Sequence, residues 1–131
     1  MFQEFSYIYT TTANFDADLE FYQNVLKAKL VWKFNDFDAK VAAFDLTGSS
    51  PLLLIADHRH TAIPRFLYRV ENLKEATKEL ESRGLKFEGK TFELPDGPCI
   101  GFSDHSGNSF GIYEAKRPHI LEKEFRRSDE T

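Results

Sequence analysis

The sequence Ser103-Asp104-His105-Ser106-Gly107-Asn108-Ser109-Phe110-Gly111-Ile112-Tyr113-Glu114 punctuates the chain near its end. Asp and Asn side chains fold back onto their own backbone and Gly107 accepts positive φ, so residues 104–108 read as a tight turn. The turn joins two short apolar runs, 99–102 and 109–113, and predicts a β-hairpin. Working back from it, residues 98–102 and 85–92 are further strand-like runs, and Gly84 stops the helix before them as a C′ glycine does. That helix opens at Asn72, with Glu75 three residues on as a capping box, and Leu73, Ala76 and Leu80 form its apolar stripe. A strand over 65–70 precedes it, so the second half reads β-α-β-β-β.

The first half has the same order. Phe5, Tyr7, Tyr9 and Thr11 alternate with Ser6, Ile8 and Thr10, which predicts a strand over 4–11. Asn14 caps a helix whose first turn is crowded by Asp16 and Asp18 and whose apolar stripe is Phe15, Leu19, Tyr22 and Leu26; it ends near Lys27. Residues 30–37, 41–46 and 51–57 are three strand-like runs, with turn material at Asn35-Asp36 or Asp38-Ala39 and at Gly48-Ser49-Ser50. Asn14 with Asn72, Phe15 with Leu73 and Lys27 with Gly84 match at offsets of 57 to 58 residues, as an internal duplication requires.

With 131 residues the chain suits one domain that buries a real core. Thirteen Phe, five Tyr and one Trp are well above ordinary usage, so either the core or a pocket is aromatic. The balance of 17 basic and 21 acidic residues gives a net charge of −4 with no basic stripe, which argues against nucleic acid. One cysteine, Cys99, cannot pair internally, and Met1 leads into Gln3 and Glu4 rather than a basic and then apolar leader; we expect a cytoplasmic protein. The longest apolar run, 51–56, is strand-sized and far short of the roughly 18 residues a membrane helix needs, so no membrane partner is expected.

Paired βαβββ halves, the phrase Phe21-Tyr22-Gln23-Asn24-Val25-Leu26 in the first helix, and the closing D-x-x-G-N turn together resemble the vicinal oxygen chelate superfamily of glyoxalases, bleomycin-resistance proteins and extradiol dioxygenases. The resemblance spans 4–114 and implies an α+β fold: two βαβββ modules, 4–57 and 63–114, in pseudo-twofold arrangement with a curled mixed sheet. The domain would be 1–116, followed by a charged tail, 117–131, in which Ile120, Leu121 and Phe125 are spaced for a short amphipathic helix. The family also implies a homodimer. Lys27 stands where the family commonly has glycine, which bears on the first helix's C-cap.

In the family's enzymes, the resemblance implies, a metal is held by His, Gln or Glu from the first and last strand of each module. Here those positions fall on Tyr7, on the run Leu52-Leu53-Leu54-Ile55, on Arg65 and on Gly111. A divalent ion needs converging N or O donors, and a guanidinium has no lone pair to give, so we expect no metal and no other cofactor. By alternation, Phe5, Tyr9 and Thr11 face inward with Tyr7, Leu67 and Arg69 with Arg65, and Ser109 and Tyr113 with Gly111. The candidate ligand-binding residues are therefore Tyr7, Tyr9, Arg65, Arg69 and Tyr113. They suit a small molecule that is aromatic or partly apolar and carries an anionic or carbonyl group. The same residues read equally as a filled half-barrel, with tyrosines as core and both arginines paired to nearby carboxylates.

Two function classes stay open. One is a metal-independent small-molecule binding protein like the drug-sequestering members of the family; bleomycin, which is cationic, does not suit a cleft with Arg65 and Arg69. The other is a metal-dependent lyase, isomerase or dioxygenase with atypical ligands from His58, His60 or His105. A third, blander reading is a structural or regulatory domain with a filled cup. In Asp57-His58-Arg59-His60 the two imidazoles share a side of an extended segment, but the segment reads as an exposed linker. His105 reads as a turn residue, His119 lies in the tail, and Cys99 has no basic neighbour to activate it. No Ser-His-Asp order, phosphate-binding glycine loop or zinc cysteine cluster is present.

Overall fold

Asn14 and Asn72 each sit in extended backbone and turn a side-chain oxygen onto the helix that follows, accepting from Ala17 N at 3.1 Å and Glu75 N at 3.0 Å. In a computed structural model that describes residues 1–36, 39–58 and 63–117, these caps open the helices of two consecutive βαβββ modules. The first comprises β1 (Phe2–Thr11), α1 (Phe15–Glu20) running into a π turn (Phe21–Val25), β2 (Lys29–Asp36), β3 (Ala39–Asp45) and β4 (Leu52–Ala56). The second comprises β5 (Arg65–Val70), α2 (Leu73–Ser82), β6 (Glu88–Leu94), β7 (Gly97–Ser103) and β8 (Ser109–Glu114). Phe15 and Leu73, and Ala39 and Gly97, open corresponding elements 58 residues apart.

All eight strands form one mixed sheet in the order β2-β3-β4-β1-β5-β8-β7-β6. β1 pairs with β4 and β5 with β8 in parallel, and β1 meets β5 antiparallel at the centre. Exchanging the modules reverses this order onto itself, which is the near-twofold relation expected from the sequence. The sheet is curled into a half-barrel, with helices on its convex side. Phe15, Leu19 and Tyr22 pack on Ala42, Phe44 and Ile55, while Leu73, Ala76 and Leu80 pack on Val70 and Ile112. The concave side carries one cluster built from both modules, including Tyr7, Tyr9, Trp32, Leu54, Leu67, Leu94, Cys99 and Tyr113.

Three local features differ from the sequence reading. The pairing of β1 with β5 slips by one residue between Phe5 and Tyr7, so Ser6 is an extra, bulged residue. Phe5 consequently stacks on Tyr68 at 4.8 Å on the convex face and is not an inward residue, as strict alternation expects. The first helix is regular only to Glu20. Leu26 N then reaches back to Phe21 O at 3.1 Å, and the widened turn seats Tyr22 5.1 Å from the Phe44 ring while leaving Leu26 46% exposed, off the buried stripe. Lys27 follows at φ 56°, the left-handed position that Gly84 takes at φ 97° after α2. β6 begins at Glu88 rather than near 85, because Leu85 N still bonds Leu80 O at 3.0 Å in the helix exit.

The closing hairpin is held as its residue types require. Asp104 Oδ1 accepts from Ser106 N and Asn108 N, each at 2.9 Å, and Asn108 Nδ2 donates to Asp104 Oδ2 at 2.7 Å. These bonds, the Asn108 side chain foremost, hold the Asp104 carboxyl below the usual carboxylate range. Glu114, at the end of β8, ties that strand to the N-terminal turn of α2, because its Oε1 accepts from Leu73 N at 2.8 Å. Arg59, His60, His119 and the tail beyond Arg117, with its expected short helix, lie outside the described residues.

Candidate functional site

The bulge at Ser6 turns Glu4, Ser6, Tyr7 and Tyr9 toward the concave face together. Tyr7 is 6% and Tyr113 3% exposed, with rings 5.8 Å apart, and Trp32 stands edge-on to Tyr7 at 6.3 Å. These rings form a packed floor. The Tyr7 hydroxyl donates to Asp96 Oδ2 at 3.1 Å. Burial and then the Asp96 charge push the Tyr7 phenol far above its ordinary value, and burial does the same to Tyr113, whose hydroxyl meets Ser6.

Asp96 lies between β6 and β7, on the turn Leu94-Pro95-Asp96-Gly97, and is 5% exposed. The turn is clamped from outside by Arg117, which donates through Nη2 to Glu93 Oε1 at 2.6 Å and Leu94 O at 2.9 Å, and through its backbone N to Asp96 O at 2.8 Å. Burial pushes the Asp96 carboxyl above the usual range. The Tyr7 hydrogen bond, its own backbone N–H and the charges of Arg117 and Arg69 pull the other way. Its second oxygen, Oδ1, is buried and has no hydrogen-bond partner among the described residues. Residue types pointed to none of this, though Pro95-Asp96-Gly97 is a turn signature that would have separated β6 from β7 and drawn notice to the aspartate.

Arg65 occupies the opposite end of the second module's cup. Its Nε donates to Ser109 Oγ on β8 at 2.9 Å, its Nη2 lies 3.8 Å from Glu88 Oε2, and its guanidinium sits 5.7 Å from the Phe92 ring centroid. The plane lies close across Gly101 of β7, where an added Cβ would stand 2.4 Å from Nη1. Only 20% of the side chain is exposed, so it faces the cup and not solvent. Arg69 is further out, 38% exposed and 3.9 Å from Glu4 Oε2, close enough to be felt by Asp96 and Tyr113. Tyr9 belongs to the same concave cluster, and its hydroxyl lies 3.1 Å from His58 Nε2.

Of the five candidate residues, Tyr7, Tyr113 and Arg69 thus gather round Asp96, Arg65 stands at the other end, and Tyr9 turns to the linker histidine. Between the two ends lie Leu67, Gly111 and Cys99. A Cβ at Gly111 would meet Leu67 Cδ2 at 2.6 Å and Cys99 Sγ at 3.2 Å, and burial pushes the Cys99 thiol up to about 12.

The model of the Glyoxalase/Bleomycin resistance protein/Dioxygenase superfamily matches residues 5–112. The chain belongs to this superfamily. No curated protein matches it in sequence. Among solved structures it is similar to methylmalonyl-CoA epimerase from Mycobacterium tuberculosis, at 16% identity and a TM-score of 0.68 over 83% of this chain and 85% of that one. It is also similar to a methylmalonyl-CoA epimerase in complex with methylmalonyl-CoA and NH4+, at 9% identity and a TM-score of 0.72 over 92% and 99%. A catechol 2,3-dioxygenase matches at 16% identity and a TM-score of 0.59 over 87% of this chain but 40% of its own length. At these identities the likeness is one of fold.

The superfamily's metal does not fit the four positions where the sequence resemblance puts its ligands. Tyr7 is a buried phenol committed to Asp96, Leu52 and Leu54 bring hydrocarbon to the inner face of β4, Arg65 brings a cation, and Gly111 has no side chain and no room for one. Among the described residues no three His, Cys, Asp or Glu side chains converge elsewhere.

Proposed function

We propose that this superfamily member is a metal-independent small-molecule binding protein, in which Arg65 receives an anionic or carbonyl group of the ligand. The observation that carries this reading is the half-used guanidinium. Only its Nε is engaged at hydrogen-bond distance among the described residues, its one carboxylate neighbour stands off at 3.8 Å, and its plane is fixed by Ser109, Phe92 and Gly101. A fixed, partly desolvated guanidinium is a bidentate receptor for carboxylate or carbonyl oxygen. Phe92 offers an aromatic face beside it. The buried tyrosines pack round Asp96 at the other end of the cup, so ligand contact centres on Arg65, with Arg69 further out.

A fold neighbour in complex with methylmalonyl-CoA, an acid thioester, gives this choice of ligand chemistry limited support, since the likeness is of fold alone. Homodimerisation belongs to the same proposal, supported by Phe21, Val25 and Leu26, which stand 44%, 66% and 46% exposed along the end of the first helix. One sheet running through both modules supports a single domain over 1–116, and the unpaired, buried Cys99 suits a reducing, cytoplasmic setting. No helix among the described residues is long and apolar enough to cross a membrane.

The test is a thermal-shift screen of small carboxylates and carbonyl compounds with EDTA present, beside elemental analysis of protein purified without an affinity tag. An anionic responder on metal-free protein is expected, since a ligand at 100 times its dissociation constant stabilises by about 2.7 kcal/mol. Stoichiometric zinc, iron, manganese or nickel would instead point to the lyase, isomerase or dioxygenase class.

A further inference from the structure

The end of the cup at Arg65 carries a second fixed group, and this one is an acceptor. Glu88 opens β6 and pairs with Gly101, the residue across which the Arg65 guanidinium lies, so both side chains stand on the concave face. Glu88 Oε1 accepts from the Ser103 hydroxyl on β7, while Oε2 stands 3.8 Å from Arg65 Nη2, beyond hydrogen-bond distance. Ser109, opposite Ser103 in the β7–β8 pairing, holds the guanidinium through Nε at 2.9 Å. A serine on each strand thus orients one member of an ion pair whose charges face each other without touching. The side chains of Arg65 and Glu88 are 20% and 48% exposed, so solvent reaches both. An acceptor of the ligand accounts for the guanidinium, but it leaves Oε2 of Glu88 beside it without a donor at hydrogen-bond distance among the described residues.

We propose that Glu88 sets the specificity of the Arg65 site, and that the group it selects is a neutral carboxamide whose carbonyl oxygen meets the guanidinium while its N–H meets Glu88 Oε2. The proposal rests on the reading of Arg65 as the ligand's receptor and narrows that reading from any acid or carbonyl to one class. A primary amide, a urea or a lactam presents C=O and N–H on the same edge, an acceptor and a donor side by side, which is the complement of Nη2 and Oε2 side by side. An open-chain trans amide points the two in opposite directions and does not fit. Charge favours the same choice: a ligand carboxylate on Arg65 brings a second negative charge beside Glu88, whereas a neutral amide leaves the pair balanced and gives each member a charge-assisted hydrogen bond. Because Glu88 is half-exposed, a plain acid is disfavoured at this site and not excluded from it. The Phe92 ring, 5.7 Å from the guanidinium, takes an aromatic or apolar body attached to the amide.

Benzamide and benzoate are nearly the same shape and differ in what they offer Glu88, so the pair of them tests the proposal. Each is titrated at pH 7.5 into the wild-type protein and into Glu88→Ala, with the backbone amide resonances of Gly101 and Ser109, on either side of the guanidinium, as the readout. The wild type is expected to bind benzamide at least threefold more tightly than benzoate. Glu88→Ala is expected to reverse the order, benzamide losing its acceptor and benzoate its repelling neighbour. Tighter binding of benzoate to the wild type would overturn the proposal while leaving Arg65 as an anion receptor, and so would an unchanged order of the two ligands in a folded Glu88→Ala protein. Equal weakening of both ligands in that variant would also overturn it, since Glu88 would then act only by positioning Arg65. Binding of neither ligand to the wild type would remove the reading of Arg65 itself, and this proposal with it.

Discussion

Gly101 and Asp96 mark the two ends of the cup, and each makes a prediction at the scale of a single side chain. Gly101→Ala would set a methyl 2.4 Å from Arg65 Nη1, the flexible end of a side chain, so the guanidinium swings away while the sheet stays intact. Benzoate binding should weaken several-fold with little change in melting temperature; unchanged affinity would mean that the position of the guanidinium does not matter. For Asp96 the sign follows from linkage. Its folded carboxyl titrates above the ordinary value of about 3.9, so between these two values the folded protein holds the extra proton and stability falls as pH rises, staying lower above the folded value. The groups facing it are Tyr7, Tyr113, Cys99, Arg69 and Arg117, and none of these is a second carboxylate. Urea unfolding at pH 4 and pH 7.5 should therefore show the wild type losing stability with pH relative to Asp96→Asn. Parallel pH profiles would contradict the assignment. Arg65 was legible from the sequence because the turn and repeat fixed its register and alternation fixed its face. Asp96 was not, because its burial depends on how a loop from one module folds over the first strand of the other.

At the scale of elements, caps and periodicity carried the reading and exceptions to regular geometry escaped it. Both Asn caps and the strands β5 and β8 stand at the residues their patterns predict, since local hydrogen bonding and alternation determine them. The bulge at Ser6 and the π turn at 21–25 each shift a side chain from one face to another without altering composition or period enough to be seen. Lys27 is where element and residue meet. A lysine at φ 56° carries the left-handed penalty that Gly84 avoids in the second module, so Lys27→Gly should stabilise the protein by about 1 kcal/mol in urea unfolding. Asn72→Ala should cost about 1 kcal/mol by removing the cap of α2. If Lys27→Gly destabilises instead, the helix exit is held by contacts of the lysine stem and not by backbone geometry.

For the whole molecule, the duplication settles which surfaces face in and which face out. Each module alone leaves one side of its sheet bare, and joining β1 to β5 lets aromatic side chains from both close the concave floor. Among the described residues nothing covers the outer end of the first helix in this way, and Phe21, Val25 and Leu26 are exposed there. Light scattering at micromolar concentration should give twice the 15.2 kDa chain mass, and Val25→Glu should shift the population toward monomer. A wild-type monomer would remove the dimer from the account without touching the cup. What sequence alone left open at this scale was whether the inward tyrosines line a space or fill it. They are filled floor, because the bulge in β1 and the cross-module loop at Asp96 bring their rings and hydroxyls into mutual contact.

The claim on which the functional account stands is that Arg65 does electrostatically what the superfamily's metal site does elsewhere in the fold, and one titration addresses it. Benzoate is titrated calorimetrically into wild-type protein and into Arg65→Met, both in EDTA and both checked for an unchanged fold by circular dichroism. We predict saturable binding to the wild type without metal and at least tenfold weaker binding to the variant, about 1.4 kcal/mol, the least expected from a charge-assisted hydrogen bond. Equal affinity for the two proteins, or binding to the wild type that appears only when a divalent metal is restored, would contradict it.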